Sequence, residues 1–107
     1  MAEATTKSST KVEFGDFQTP ERLARDVCSL LSANAIQPAS VLEPTCGVGN
    51  FIIAAAETFS AARVIGVEVQ DKYVKQTANR ISERFTDRVT VEQGNFFQIS
   101  WDAVLRQ

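Results

Sequence analysis

Apolar residues recur at helical spacing in two stretches of the chain. The first is Leu23, Val27, Leu30 and Leu31, and the second is Tyr73, Val74, Thr77, Ala78, Ile81 and Phe85. The first set predicts a helix opening at Thr19-Pro20-Glu21 and running to about Ala33. Thr19 can cap it, Pro20 suits the first helical position, and Glu21 favours the positive end of the dipole. Asn34 and Pro38 mark its end and the following loop. Ser40 to Glu43 is short, apolar and β-compatible, and it stops at Pro44. Phe51 to Phe59 reads as a helix with Asn50 as its cap. Arg63 to Val67 is a nearly continuous apolar strand with Glu68 at its carboxyl end, the pattern of a parallel strand buried on both faces. Asp71 can cap the second amphipathic helix, and Thr86-Asp87 breaks it. Arg88 to Glu92 alternates as a strand, Gly94 to Phe97 is a loop, and Ser100 can cap a short helix carrying Trp101, Val104 and Leu105. Helix, then strand-helix-strand-helix-strand, gives two consecutive βαβ units, and therefore an α/β fold with a parallel sheet and right-handed crossovers.

Length and charge narrow the picture. At 107 residues the chain is one domain. Residues 1–13, rich in Ala, Thr, Ser and Lys, are expected to form a disordered lead-in, and residues 14–107 the folded part. Eleven basic residues against 13 acidic ones leave a net charge of -2, so no global basic field argues for nucleic-acid binding by this piece alone. Histidine is absent, which excludes Ser-His and Cys-His catalysis and every His-ligated metal site. No metal site is expected. Cys28 and Cys46 form no C-x-x-C pair and no disulfide framework. The longest uncharged stretch, Val27 to Leu42, is interrupted by Asn34, Gln37 and Pro38 and is too short to span a membrane. With no apolar leader at the amino terminus, the expectation is a reducing, cytoplasmic location.

In such a sheet, ligands bind at the carboxyl ends of the strands. Three candidates meet there: Glu43 to Gly49 after the first strand, Glu68 after the second, and Asn95 with Phe96 after the third. Gly47 and Gly49 let the backbone turn sharply and approach a ligand closely. Glu68 follows Gly47 by 21 positions, close to the usual spacing for a carboxylate that grips a ribose diol. A tight strand-helix turn beside a solvated glutamate is the plainer alternative. A dinucleotide fingerprint would need a third glycine, but Ile52 stands there; a phosphate loop would need a lysine after Gly49, and none follows. No basic residue lies between Val41 and Ala62 to meet a pyrophosphate. The loop therefore suits a nucleoside without phosphates, and S-adenosylmethionine is the obvious one.

Phe17-Gln18-Thr19-Pro20 and Val41-Leu42-Glu43-Pro44-Thr45-Cys46-Gly47-Val48-Gly49-Asn50-Phe51 resemble the opening motifs of S-adenosylmethionine-dependent DNA adenine-N6 methyltransferases of the restriction-modification type. Val67-Glu68-Val69 is similar to that family's acidic second motif, and Gln93-Gly94-Asn95-Phe96-Phe97 to its third. The resemblance covers roughly residues 14 to 97. It implies a partial class I methyltransferase sheet, Rossmann-like, of three strands with flanking helices. By this resemblance, Thr19 and its neighbours hold the methionine end of the cofactor, Glu43, Thr45, Gly47 and Gly49 line its methionine and ribose, and Glu68 binds the ribose hydroxyls. Asn95 stands where the family usually has an acidic residue bonding the adenine amino group; its carbonyl can accept but brings no charge. Phe96 stacks on adenine, with Val69 on the other side.

The family's chemistry uses an Asn/Asp-Pro-Pro-aromatic motif after a fourth strand. The three prolines here, Pro20, Pro38 and Pro44, are never adjacent, so no residue of this chain is assigned a catalytic role. The expectation is a cofactor-binding amino-terminal part, inactive alone, that meets DNA only through segments outside it. The first strand would present a bare outer edge, predicting self-association or a partner chain. A non-catalytic interaction module, or part of an RNA or protein-glutamine methyltransferase, are the alternatives. Cys46 is expected to be a small loop residue, Cys28 and Trp101 packing residues, at least one of Phe96 and Phe97 a core aromatic, and Arg80, Arg84 and Arg88 a solvated face.

Overall fold

A computed structural model describes residues 18–44, 46–82, 84–85, 87–95 and 97–106. The expected lead-in 1–13, together with Phe14, Phe17, Thr45, Thr86 and Phe96, lies outside the described residues. The elements are α1 (Glu21–Ala33), β1 (Ser40–Glu43), α2 (Asn50–Thr58), β2 (Arg63–Glu68), α3 (Asp71–Ile81), β3 (Val89–Gln93) and α4 (Trp101–Leu105). Their order is the one the apolar periodicity predicts. The strands form one parallel sheet in the order β1-β2-β3, with Glu43 opposite Gly66 and Glu68 opposite Gln93. This is the three-stranded parallel sheet with flanking helices that the resemblance implies.

Alternation along β2 divides the core. Val64, with Val89 of β3, packs among α1, α2 and α3 through Ala24, Cys28, Ile52 and Ile81. Ile65 and Val67 point the other way, onto Val104 of α4, flanked by Leu42, Ile99 and Trp101. Every residue of β2 after Arg63 is buried, as its unbroken apolar run requires. A Cβ on Gly66 would lie 2.5 Å from Ile52 Cδ1 and 3.1 Å from Cys46 Cβ. The bare backbone there lets fully buried Ile52 bring α2 down onto the sheet. Within α2, Ile52 to Ala56 are all buried, so this helix is apolar on every side.

Two expectations about helices are corrected. α1 does bury Cys28, but its partner inside is Ala24, while Leu23, Leu30 and Leu31 of the apolar stripe are exposed. α1 packs against α2, whose middle is the run Ala54-Ala55-Ala56, and small residues facing small residues bring two helices close. The larger leucines lie farther round α1. Helix starts also differ: Pro20, Gly49 and Gln70 hold the cap positions of α1, α2 and α3 without a side-chain cap bond. Thr19, Asn50 and Asp71 thus do not cap, whereas Ser100 accepts from Ala103 N as expected. The exposed Asp71 pairs with Lys75 one turn on, at 2.9 Å.

The three arginines are not a free solvated face. Arg88 donates to the carbonyls of Ala56, Phe59 and Ala62 at 2.6–3.2 Å, satisfying acceptors at the end of α2 and in the turn beyond it. Arg84 pairs with Glu57 at 2.8 Å, and Arg80 reaches the glycine loop. No helix among the described residues is long and apolar enough to cross a membrane.

Candidate functional site

The carboxyl ends of the three strands meet as the topology demands. Cys46 N donates to Val67 O at 2.8 Å, which lays the loop after β1 across the end of β2. Gly94 N donates to Glu68 O at 3.0 Å, which draws the start of the loop after β3 to the same place. Glu43 flanks this edge, half-buried.

The loop itself is pinned peptide by peptide. Gly47 and Gly49 have φ of +55° and +90°, in the left-handed region that favours glycine. Gly47 N donates to Glu68 Oε1 at 2.9 Å, and Cys46 O accepts from Gly49 N at 2.9 Å. In the next unit, Gly47 O accepts from Thr77 Oγ1 at 2.9 Å while Val48 N donates to Gln18 Oε1 at 3.0 Å. Val48 O accepts from Arg80 Nη1 at 2.6 Å. A Cβ on Gly47 would overlap the Gln18 side-chain amide, and one on Gly49 would lie 2.8 Å from Thr77 Cγ2.

Glu68 is buried, and its second oxygen, Oε2, accepts from Gln70 N at 2.8 Å. Each oxygen takes one backbone N–H and keeps a lone pair, so the carboxylate can brace the loop and still accept from a ligand hydroxyl. Val69, next to it, is 55% exposed, an apolar side chain held at the strand end with nothing covering most of it. Asn95 turns its carbonyl onto its own loop, accepting from Phe97 N at 2.9 Å. Phe97 is 89% exposed, so it is not a core aromatic. Thr19 presents its backbone carbonyl to Asn50 Nδ2 at 2.8 Å. Thr45 and Phe96, assigned to the cofactor by sequence, lie outside the described residues.

Cys46 is a buried loop residue, as expected. Burial first, then the Glu68 and Glu43 carboxylates, push its thiol up to about 12. A thiol so protonated is no nucleophile at neutral pH. Trp101 joins the edge of the α4 core.

Three residues that bond the loop escaped the sequence reading: Gln18, and Thr77 and Arg80 from α3; Asn50 joins them at one remove, through Arg80. One signal was available for Thr77, a short hydroxyl side chain in the middle of a largely apolar stripe, which in a buried position needs an acceptor.

A methyltransferase-domain family matches residues 37–104. The chain is 37% identical over 99 residues to the type II methyltransferase M.NspV of Nostoc sp., covering 92% of this chain and 21% of that enzyme. It is 32% identical over 82 residues to a protein-lysine N-methyltransferase of Saccharolobus islandicus, covering 76% of this chain and 50% of that one. An RNA methyltransferase from Salinibacter ruber, solved in complex with S-adenosyl-L-homocysteine, superposes with a TM-score of 0.65 at 26% identity, over 78% of this chain and 53% of that one. The chain thus spans about half, or less, of the length of these relatives. With its three-stranded sheet, glycine loop and strand-end glutamate, the chain belongs to the methyltransferase-domain family, has the class I fold whose cofactor is S-adenosylmethionine, and is related to the type II methyltransferases.

Proposed function

We propose that this chain is the S-adenosylmethionine-binding part of a site-specific DNA adenine-N6 methyltransferase, and that it is inactive alone. The observation that carries the cofactor half is the bond from Gly47 N to Glu68 Oε1, which joins the glycine loop to the strand-end carboxylate 21 residues away. The donor set fits this cofactor. Glu68 keeps an acceptor lone pair on each oxygen for a ribose diol. No Lys or Arg lies between Val41 and Ala62, and Arg80 is spent on the loop's own carbonyl, so the loop brings no cation for a phosphate. The exposed Val69 offers an apolar face for a purine. In this reading Glu68 holds the ribose, Glu43, Thr45, Gly47, Gly49 and the Thr19 segment hold the ribose and methionine end, and Asn95, Phe96 and Val69 hold the adenine. When bound, the cofactor supplies an electrophilic methyl group on a sulfonium.

In this reading the chain's residues bind and orient; among the described residues none is placed to handle the proton of the accepting amine. The adenine amino group is a poor nucleophile, and the rate must come from acceptors that hold it in the transition state. DNA binding and those acceptors are assigned to segments outside this chain. The relationship to M.NspV over 92% of this chain and the Phe17 to Pro20 segment favour DNA over RNA or protein. The outer edge of β1 and the exposed leucines of α1 are assigned, in this reading, to self-association or a partner chain. The location in this reading is cytoplasmic, in keeping with two free cysteines.

The test is calorimetric titration with S-adenosyl-L-homocysteine and with NAD. Wild type should bind the first and not the second, and Glu68→Ala should lose about 1.5–3 kcal/mol. Equal binding by both proteins would remove Glu68 from the site. For the reaction, tritiated methyl incorporation into the adenines of unmethylated DNA should be absent with this chain alone. It should appear when the remainder of a type II relative is supplied, fused or in trans. Turnover by the isolated chain would place catalytic residues within it, and transfer to cytosine or protein would overturn the adenine assignment.

A further inference from the structure

The glycine loop is gripped from behind. A trans peptide points its C=O and N–H in opposite directions. The Gly47–Val48 unit gives its carbonyl to Thr77 Oγ1 on α3 and its N–H to Gln18 Oε1. The carbonyl of the next unit, Val48 O, goes to Arg80 Nη1, also on α3. Thr77 and Arg80 lie three apart on one helix, the spacing that puts two side chains on the same face. Arg80 Nη1 also donates to Asn50 Oδ1 at 2.9 Å, and Asn50 passes the connection to Thr19 O. One helix face therefore sets two consecutive loop carbonyls and, through Asn50, the segment before α1.

Resting on the cofactor reading above, we infer that Thr77 and Arg80 are positioning residues for S-adenosylmethionine binding: by fixing the carbonyls of Gly47 and Val48 they hold the loop in its ligand-ready shape. A loop with two glycines at positive φ has many other conformations available and no strong preference of its own for this one. Anchors that remove that freedom before the ligand arrives raise affinity without touching the ligand. Thr77 is fully buried, and Val48 O is 2.6 Å from the guanidinium, so both anchors are short and specific. In the reading above the loop lines the ribose and the methionine end, while Glu68 holds the ribose independently, so loosening the loop should act chiefly on ligands that carry the amino-acid group.

The experiment compares two ligands on the 107-residue chain. S-adenosyl-L-homocysteine has the amino-acid end; 5′-methylthioadenosine keeps the nucleoside and lacks it. Thr77→Val, nearly isosteric but without a donor, and Arg80→Met should each weaken S-adenosyl-L-homocysteine about tenfold, with 5′-methylthioadenosine changed less than about twofold. Thr77→Ser, which keeps the hydroxyl, should restore most of the affinity. Arg80 is exposed, so Arg80→Met decides the matter if Thr77→Val fails to fold. Unchanged S-adenosyl-L-homocysteine affinity in folded Arg80→Met, or equal losses for both ligands, would overturn the positioning role. Failure of the wild type to bind either ligand would instead overturn the cofactor reading, and the inference with it.

Discussion

The loop from Cys46 to Gly49 and the chain's outward flank, taken as the exposed side of α1 and the edge strand β1, are finished in opposite ways. In the loop, backbone groups find partners from Gln18, Glu68, Thr77 and Arg80, all within this chain. On the flank, Leu23 and Leu30 are 52% and 64% exposed, and β1 after Ser40 is only half-buried where β2 after Arg63 is buried throughout. The ladder bond from Arg63 N to Ala39 O sends the alternate backbone groups of β1, those of Ser40 and Leu42, away from β2. The contrast separates backbone that finds its partners inside this chain from backbone and apolar side chains that face outward. The glycine loop is of the first kind; the outer edge of the sheet is of the second.

Breaking the loop gives the largest effect. Gly49→Val would force a β-branched residue to φ +90° and drive its Cβ to 2.8 Å from Thr77 Cγ2. The strain costs about 1–3 kcal/mol in the folded chain. Binding of S-adenosyl-L-homocysteine should weaken more than about 100-fold by calorimetry, while far-ultraviolet circular dichroism stays helical. Normal binding would reduce the loop to a turn. The flank answers to a smaller change. Leu23→Lys with Leu30→Lys should alter unfolding free energy by no more than about 0.5 kcal/mol per site, because neither side chain is buried. The same pair should abolish self-association in sedimentation velocity. A wild type that is already monodisperse and monomeric would remove the flank from the association proposal. The smallest effect probes the loop's interior without a mutation. Burial and the Glu68 and Glu43 carboxylates raise the Cys46 thiol from 9.0 to about 12, so its contribution to stability is fully present below pH 9 and is lost as pH rises toward about 12. Iodoacetamide at pH 8 should modify Cys46 far more slowly in the native chain than in urea.

Most of the architecture was legible because it rests on local periodicity. The bounds expected for β1 are those found, and the start of β2 at Arg63 and the end of α1 at Ala33 also agree. The carboxyl ends of three strands followed from βαβ topology, which was enough to expect Glu43 to Gly49, Glu68 and the loop of Asn95 at one edge, where Gly94 N bonds Glu68 O. What was not legible is long-range. Asn50 has the right chemistry for a cap, yet it bonds Thr19 O and Arg80, partners 31 and 30 positions away. The three arginines looked like a solvated face because their acceptors are distant in sequence: Arg88 and Arg80 reach backbone carbonyls, which carry no sequence signature, and Arg84 reaches Glu57, 27 positions away. The face of α1 was misplaced for a related reason. Ala24, Val27, Cys28 and Leu31 share an arc wide enough to pack in more than one way, and the small residues of α2 selected the narrow side.

Arg88 stands just before β3, and its guanidinium collects carbonyls from Ala56, Phe59 and Ala62. The first βαβ unit ends its helix in these carbonyls, and the second begins its last strand beside this arginine. Fraying at the end of α2 therefore strips partners from a cation at the entrance to β3, and detachment of β3 strips the donor from the end of α2. Neither unit can melt quietly at this corner. The two halves are coupled there, because local opening of either one also forfeits the Arg88 bonds that belong to the other.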